Sequence, residues 1–209
     1  MVNQTNKTSQ TVESKVSARI YGKGRGWVFS QKDFMDLAGT STIHWALYEL
    51  AQAGTTRRVL RGIYDYPRFS ELVNNQMPPN IHQVANALSR KFGWRIQPNG
   101  SAALNLLDLS TQVPGKFLYY SDGPSRDYQI GKTPLVFKHQ ALKDAVRDYE
   151  TAVLIQGLKE LGPDRINDDI VHTMRDWLSV KKRKGVLKEA RGATVWVYEV
   201  LKKICKEGP

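Results

Sequence analysis

Val12, Val16 and Ile20 recur at four-residue spacing, which predicts a short amphipathic helix after a polar, disordered tail over residues 1–10. GKGRG at 22–26 breaks that helix, and WVF at 27–29 is short, apolar and β-prone. Ser30 is a good N-cap for a second helix whose inner face is Phe34, Leu37 and Ala38, ended by Gly39. Thr40, Ser41 or Thr42 caps a third, running to about Ala53 before Gly54. Its residues Ile43, Ala46, Leu47 and Leu50 fall in a stripe of about 100°. The opposite face shows Ser41, Trp45, Tyr48 and Gln52, with Thr42, His44 and Glu49 on its flanks.

Val59-Leu60 and Ile63-Tyr64 on either side of Arg61-Gly62 read as a β-hairpin. Residues 71–80, punctuated by QMPPN at 76–80, read as a linker. Beyond it, Ile81, Val84, Ala85, Leu88 and Phe92 describe a helix ending at Gly93. WRIQP is a strand, and Ser101–Leu107 a short helix capped by Asn99 or Ser101. KFLYYS, RDYQI and TPLVFK predict a small antiparallel sheet. A largely buried helix follows from about Ala141 to Leu161. Two amphipathic ones close the chain, on Ile166, Ile170, Val171, Met174, Trp177 and Leu178, and on Val195, Tyr198, Leu201 and Ile204.

Helix, strand, helix, turn, helix and hairpin is the order of a winged helix-turn-helix. The expected fold is therefore α+β: a winged helix-turn-helix over 11–70, the linker, and a mixed α/β domain over 81–209 with a small antiparallel sheet and C-terminal helices.

Charge sharpens this picture. The 209 residues carry 31 Lys and Arg against 20 Asp and Glu, a net +11. Such an excess attracts polyanions, nucleic acid first and anionic membrane second. Residues 1–70 hold ten cations against five acids, and residues 131–209 sixteen against eleven, while the middle is nearly neutral. No apolar run is long enough to span a bilayer, and the polar N-terminus lacks the apolar region of a signal peptide. The expectation is a cytoplasmic protein without membrane association.

A hairpin that crosses a DNA backbone needs long cations, because phosphate contact supplies much of the affinity. Arg57, Arg58 and Arg61 meet that need, and Gly62 allows close approach. Lys23 and Arg25 within GKGRG are further candidate backbone contacts. On the third helix Ser41 and Thr42 offer short polar groups near the start, and His44 and Tyr48 larger hydrogen-bonding groups. Trp45 either packs on a thymine methyl or a sugar, or is covered by a neighbouring domain.

The chemistry-like motifs are weaker. GKT at 131–133 lacks the glycine a phosphate-binding loop needs, since Arg126 stands in its place, and Pro134-LVF replaces the helix. Gly100-Ser101 with Asp108 follows part of a nucleotidyltransferase pattern, but Ser110 stands where a second Mg²⁺-holding carboxylate is required. His44, His82, His139 and His172 are scattered, and Cys205 has no partner cysteine. No catalytic residue, cofactor site or metal site is expected. KKRK at 181–184 reads as a solvated connector or, alternatively, a phosphate contact.

GWVFSQKDFMDLAG, STIHWALYELAQAGTTRRVLRGIYDYP, and GWRIQPNGSAALNLLDLSTQVPGKFLYYSDGPSR with IGKTPLVF together resemble the AbiEi-type antitoxins of type IV toxin–antitoxin (abortive infection, phage defence) systems. The resemblance covers roughly residues 12–145, and the third segment is its most particular part. It implies an N-terminal winged helix that binds repeats in its own promoter and represses it. It also implies a C-terminal domain that counteracts a nucleotidyltransferase toxin without necessarily forming a stable complex. By position it assigns DNA reading to the helix from Thr42 to Ala53 and to Arg57, Arg58 and Arg61. A ligand-responsive regulator with no toxin, and an enzyme built on Gly100, Ser101 and Asp108, stand as alternatives.

Overall fold

The computed structural model describes residues 3–206 apart from 113, 143–145 and 147, with backbone alone for 3–11. The chain is α+β and forms two compact units, residues 1–94 with 129–132, and residues 95–128 with 133–209.

In the first unit a long helix, α1 (Asn3–Lys23), is followed by β1 (Val28–Phe29), a 3-10 turn (Gln31–Phe34) and α2 (Thr40–Gln52). The hairpin β2 (Arg57–Leu60) and β3 (Ile63–Asp65) comes next. β3 lies between β1 and β2, antiparallel to both. Val12, Val16 and Ile20 are buried as their spacing requires, and they join Phe29, Phe34 and the inner face of α2 in one core. Phe29 and Phe34 meet edge to face at 5.5 Å, a geometry that contributes about 0.5–1.5 kcal/mol beyond its buried area.

Two local expectations are corrected here. α1 begins at Asn3, inside the segment read as a tail, because once a helix is nucleated each further residue adds a backbone hydrogen bond. The helix expected from Ser30 is a single 3-10 turn. Ser30 accepts from the Lys32 amide, Asp33 accepts in return from the Ser30 amide, and the Gln31 amide group donates to the Thr40 carbonyl. Beyond this cap the Leu37 amide donates to the Phe34 carbonyl at 2.9 Å, a bond of 3-10 spacing, and Gly39 already caps α2, so the segment is a compact turn rather than a second full helix.

The boundary between the units falls after Trp94, not within 71–80. Part of the expected linker is a hairpin, β4 (Phe69–Ser70) with β5 (Asn75–Gln76). The helix after it, α3 (Ile81–Phe92), is bonded into the first unit. Arg90 donates to Asp33 at 2.6 Å and to the Val28 carbonyl at 2.8 Å. These bonds span about sixty residues, so no local periodicity reports them.

In the second unit β6 (Ile96–Pro98) and α4 (Gly100–Leu106) precede β7 (Phe117–Ser121), β8 (Arg126–Ile130) and β9 (Thr133–His139). The strand order is β6-β7-β9-β8. β6 is antiparallel to β7, but β9 runs parallel to β7, pairing Phe117 with Leu135 and Tyr119 with Phe137, so the sheet is mixed rather than purely antiparallel. Gly131 and Lys132 of GKT form the turn between β8 and β9, with Gly131 at φ +58°, and Thr133 opens β9. Four helices complete the unit: α5 (Tyr149–Leu161), α6 (Asp168–Trp177), α7 (Val180–Glu189) and α8 (Val195–Cys205). α5 starts at Tyr149, not near Ala141, because Asp148 caps it by accepting from the Thr151 amide and hydroxyl; residues 143–145 and 147 of the expected extension lie outside the described part. α7 stands where a connector was one reading. Val153, Leu154 and Leu158 of α5 are fully buried among Met174, Val197 and Leu201. Among the described residues no helix is long and apolar enough to cross a membrane.

Candidate nucleic-acid interface

α2 begins after Gly39, whose extended backbone supplies the N-cap without a side-chain bond. Thr40, Ser41 and Thr42 are therefore first-turn residues rather than caps. The four apolar residues of its stripe are buried, and this fixes what the opposite face presents. Ser41, His44, Trp45, Tyr48 and Gln52 are exposed, while Thr42 and Glu49 are half-buried. The Trp45 and Tyr48 rings lie 5.6 Å apart and are 57% and 42% exposed, so a pair of aromatics stands uncovered on the helix.

The three hairpin arginines divide by role. Arg57 forms a two-pronged pair with Asp65, Nε to Oδ1 at 3.1 Å and Nη2 to Oδ2 at 2.6 Å, and Nη2 also donates to the Met77 carbonyl. Asp65 is almost fully buried, and it sits opposite both Arg57 and Val28 in the three-stranded sheet. Arg57 is thus committed to holding β2 on β3. Arg58 and Arg61 are exposed and make no ion pair among the described residues. The register shifts between Arg58 and Leu60, and such a bulge re-aims the side chains around it.

The turn is closed by a residue that the sequence pattern left out. Lys91 on α3 donates from Nζ to the Arg61 carbonyl at 2.8 Å. Burial, and then the charges of Arg61 and Arg58, lower its pKa below the ordinary lysine value. Three cations therefore meet at the hairpin turn, and among the described residues none of them is in an ion pair. Gly62 sits there at φ +72°, and a Cβ at that position would lie 2.8 Å from the Lys91 ammonium nitrogen. Lys91 is thirty residues from Arg61 and belongs to a regular helical pattern; nothing in the linear sequence singles it out.

Lys23 ends α1 and is exposed. Arg25 lies over the Tyr66 ring at 4.7 Å and donates to the Pro67 carbonyl at 3.0 Å. GKGRG is thus not loose: Gly24 and Gly26 take φ +83° and +92°, and the Gly26 amide donates to the Tyr66 carbonyl. Between α2 and β2 runs a groove of about 400 Å³ lined by Tyr48, Gln52, Arg57, Arg58, Tyr64 and Gln76.

Of the nucleotidyltransferase-like residues, Gly100 has a packing role. Gly100 opens α4, where a side chain would run into Glu160 of α5. Asp108 is exposed at φ +55° just past the end of α4. Among the described residues no three His, Cys, Asp or Glu side chains gather as a metal site.

The profile of DUF6088, a family of unknown function, matches residues 15–186, and the chain belongs to that family. No curated protein and no solved structure matches it.

Proposed function

We propose that this family member is a DNA-binding autorepressor and the antitoxin of a type IV toxin–antitoxin pair. In this reading the first unit is a winged helix-turn-helix whose second helix is shortened to the 3-10 turn. The exposed face of α2, with Ser41, Thr42, His44, Trp45 and Tyr48, enters the major groove. Arg58, Arg61 and Lys91 hold phosphates beside it, with Lys23 on a further phosphate. Arg57 and Arg25 position the hairpin and the glycine loop rather than touching DNA. The observation that carries the proposal is the cluster of Arg58, Arg61 and Lys91, uncompensated by acid, next to a helix that exposes two aromatic rings.

The antitoxin half rests on the sequence resemblance over residues 12–145. The second unit has its own core and is the natural carrier of a separate activity. Footprinting on the gene's own upstream DNA tests the first half. Protection of a discrete site, shifted in preference by changes at Ser41, His44 or Tyr48, is the expected result. Protection unaltered in preference by all three would remove α2 as the reader. Growth rescue tests the second half: the upstream and downstream genes are searched for a nucleotidyltransferase, and the chain is expressed against it from a foreign promoter. No rescue would leave a DNA-binding regulator without a toxin.

A further inference from the structure

The second unit carries a row of exposed cations that no ion pair among the described residues neutralises. Residues 179–195 contain six Lys or Arg and one acid, Glu189. The structure separates those cations into two sets. Lys182 is tethered to Asp148 and Glu150, and Arg183 donates to the Arg175 carbonyl. Lys181, Lys184, Lys188 and Arg191 are all exposed and make no hydrogen bond or ion pair among the described residues.

Their spacing is regular. Lys181, Lys184 and Lys188 follow one another by three and four positions, so they lie within about 60° of one face and roughly 4.5–6 Å apart along the axis. Arg191 extends the row into the 3-10 turn Ala190–Gly192. Val186 and Ala190, on the opposite side, are buried in the core. Glu189 is half-buried and turned by about 100° from Lys188. Gly185 lies beside the row, and a Cβ there would meet nothing within 4 Å. Glycine inside a helix weakens it, and among the described residues no neighbour requires the missing side chain. It leaves the flank of the row between Lys184 and Lys188 without a side chain.

We infer that this face of α7 is a second contact to the phosphate backbone of duplex DNA, independent of base sequence. The inference rests on the reading of the first unit as DNA-binding, since a second backbone contact in the same chain adds to the first by raising its local concentration. Duplex DNA presents a charge every ~1.7 Å, dense enough for each cation of the row to find its own phosphate. Single strands are held largely by stacking on aromatic rings, and the row has none. A helix lying on a membrane needs an exposed apolar face, and α7 exposes only Val180, since Val186 is buried and Leu187 packs against the core.

The test uses the full chain, its triple variant Lys181→Gln/Lys184→Gln/Lys188→Gln, the Lys→Arg counterpart, and Arg58→Ala/Arg61→Ala. Each is titrated at several salt concentrations with a duplex of the gene's upstream sequence and a scrambled duplex of equal length. Transfer RNA and phosphatidylserine vesicles form two further arms. The Gln variant is expected to lose affinity for both duplexes by the same factor, roughly tenfold or more at moderate salt, and about 2.7 in salt slope. The Arg variant should restore both. An unchanged slope in the Gln variant, with the slope lowered in Arg58→Ala/Arg61→Ala, overturns the α7 contact and leaves the first unit's role intact. No duplex binding by the wild type overturns both. Loss confined to the transfer RNA or vesicle arm overturns the assignment to DNA. Unchanged thermal unfolding of the Gln variant, as its exposed positions require, shows that the loss is not misfolding.

Discussion

The ammonium of Lys91 is hydrogen-bonded to the carbonyl of Arg61 at 2.8 Å, which fastens the turn of the β2–β3 hairpin to α3. The same contact brings a third positive charge to Arg58 and Arg61. One bond therefore couples the stability of the turn to the field that it presents.

Lys91 has a lowered pKa because it is partly buried first, and because Arg61 and Arg58 repel its proton second. The folded protein thus disfavours the ammonium form, so the associated destabilisation is relieved as pH rises toward the unfolded lysine value of 10.5. A phosphate at the turn acts in the opposite sense, favouring the ammonium. DNA affinity should fall as pH rises below 10.5, and Lys91→Arg should delay that fall. Affinity measured across the alkaline range checks this; identical profiles for the two proteins would exclude Lys91 from the phosphate site.

Gly62→Ala introduces a Cβ at a left-handed position and against the Lys91 ammonium. It should lower stability by about 1–2 kcal/mol, read from urea unfolding. The displaced Lys91 should also weaken DNA binding, although the change adds and removes no charge.

Arg57 and Arg58 are adjacent, and their variants should behave oppositely. Arg57→Ala leaves Asp65 buried without its partner and should cost about 1–3 kcal/mol of stability. Arg58→Ala should leave stability within about 0.5 kcal/mol and lower the salt slope of DNA binding by about 0.9. Thermal unfolding beside salt-dependent titration separates the two roles.

That division was only partly legible in the chain. The alternation of Arg57–Tyr64 predicted the hairpin, but which arginine is tied down depends on Asp65, placed opposite by strand register. The inner and outer faces of α2 were readable because 3.6-residue periodicity dictates them. Lys91, the long-range bonds of Arg90 and the parallel pairing of β7 with β9 were not, because each is a tertiary relation between segments with no shared local pattern. The shortened second helix was not legible for a related reason: Phe34, Leu37 and Ala38 have helical spacing, and the tighter bond from the Leu37 amide to the Phe34 carbonyl leaves no mark on that pattern.

The boundary after Trp94 has a direct consequence for truncation. A fragment ending at residue 75 lacks α3, and with it Arg90, Lys91 and the burial of Val84, Ala85 and Leu88. It should fail to unfold cooperatively and should not bind DNA, whereas one ending at residue 94 should do both. Chemical denaturation followed by tryptophan fluorescence reports the difference, since Trp27 and Trp45 are in both fragments. Cooperative unfolding of the shorter fragment would restore the boundary to residues 71–80.

In the second unit, burial tends to raise the pKa of Asp148, but bonds from the Thr151 amide and hydroxyl and the nearby Lys182 outweigh it, and the net shift is downward. Its stabilisation is therefore present above the ordinary carboxylate value of 3.8 and lost as pH falls through the lower folded value. Asp148→Ala should cost about 1 kcal/mol at neutral pH through loss of the α5 cap. The difference from wild type should shrink below pH 3.8, as seen by unfolding at a series of acid pH values. A difference that stays constant with pH would show that the charge of Asp148 contributes nothing.

The central claim, that Arg58, Arg61 and Lys91 form the backbone-binding part of a DNA-reading unit, is tested most directly by salt-dependent fluorescence anisotropy. The full chain is titrated against a labelled duplex of its own upstream DNA. Tight binding to that duplex is expected, with weaker binding to a scrambled one and a salt slope that drops by about 2.7 in the triple alanine variant of these three residues. Equal binding to both duplexes, or a slope unchanged in the triple variant, would contradict it.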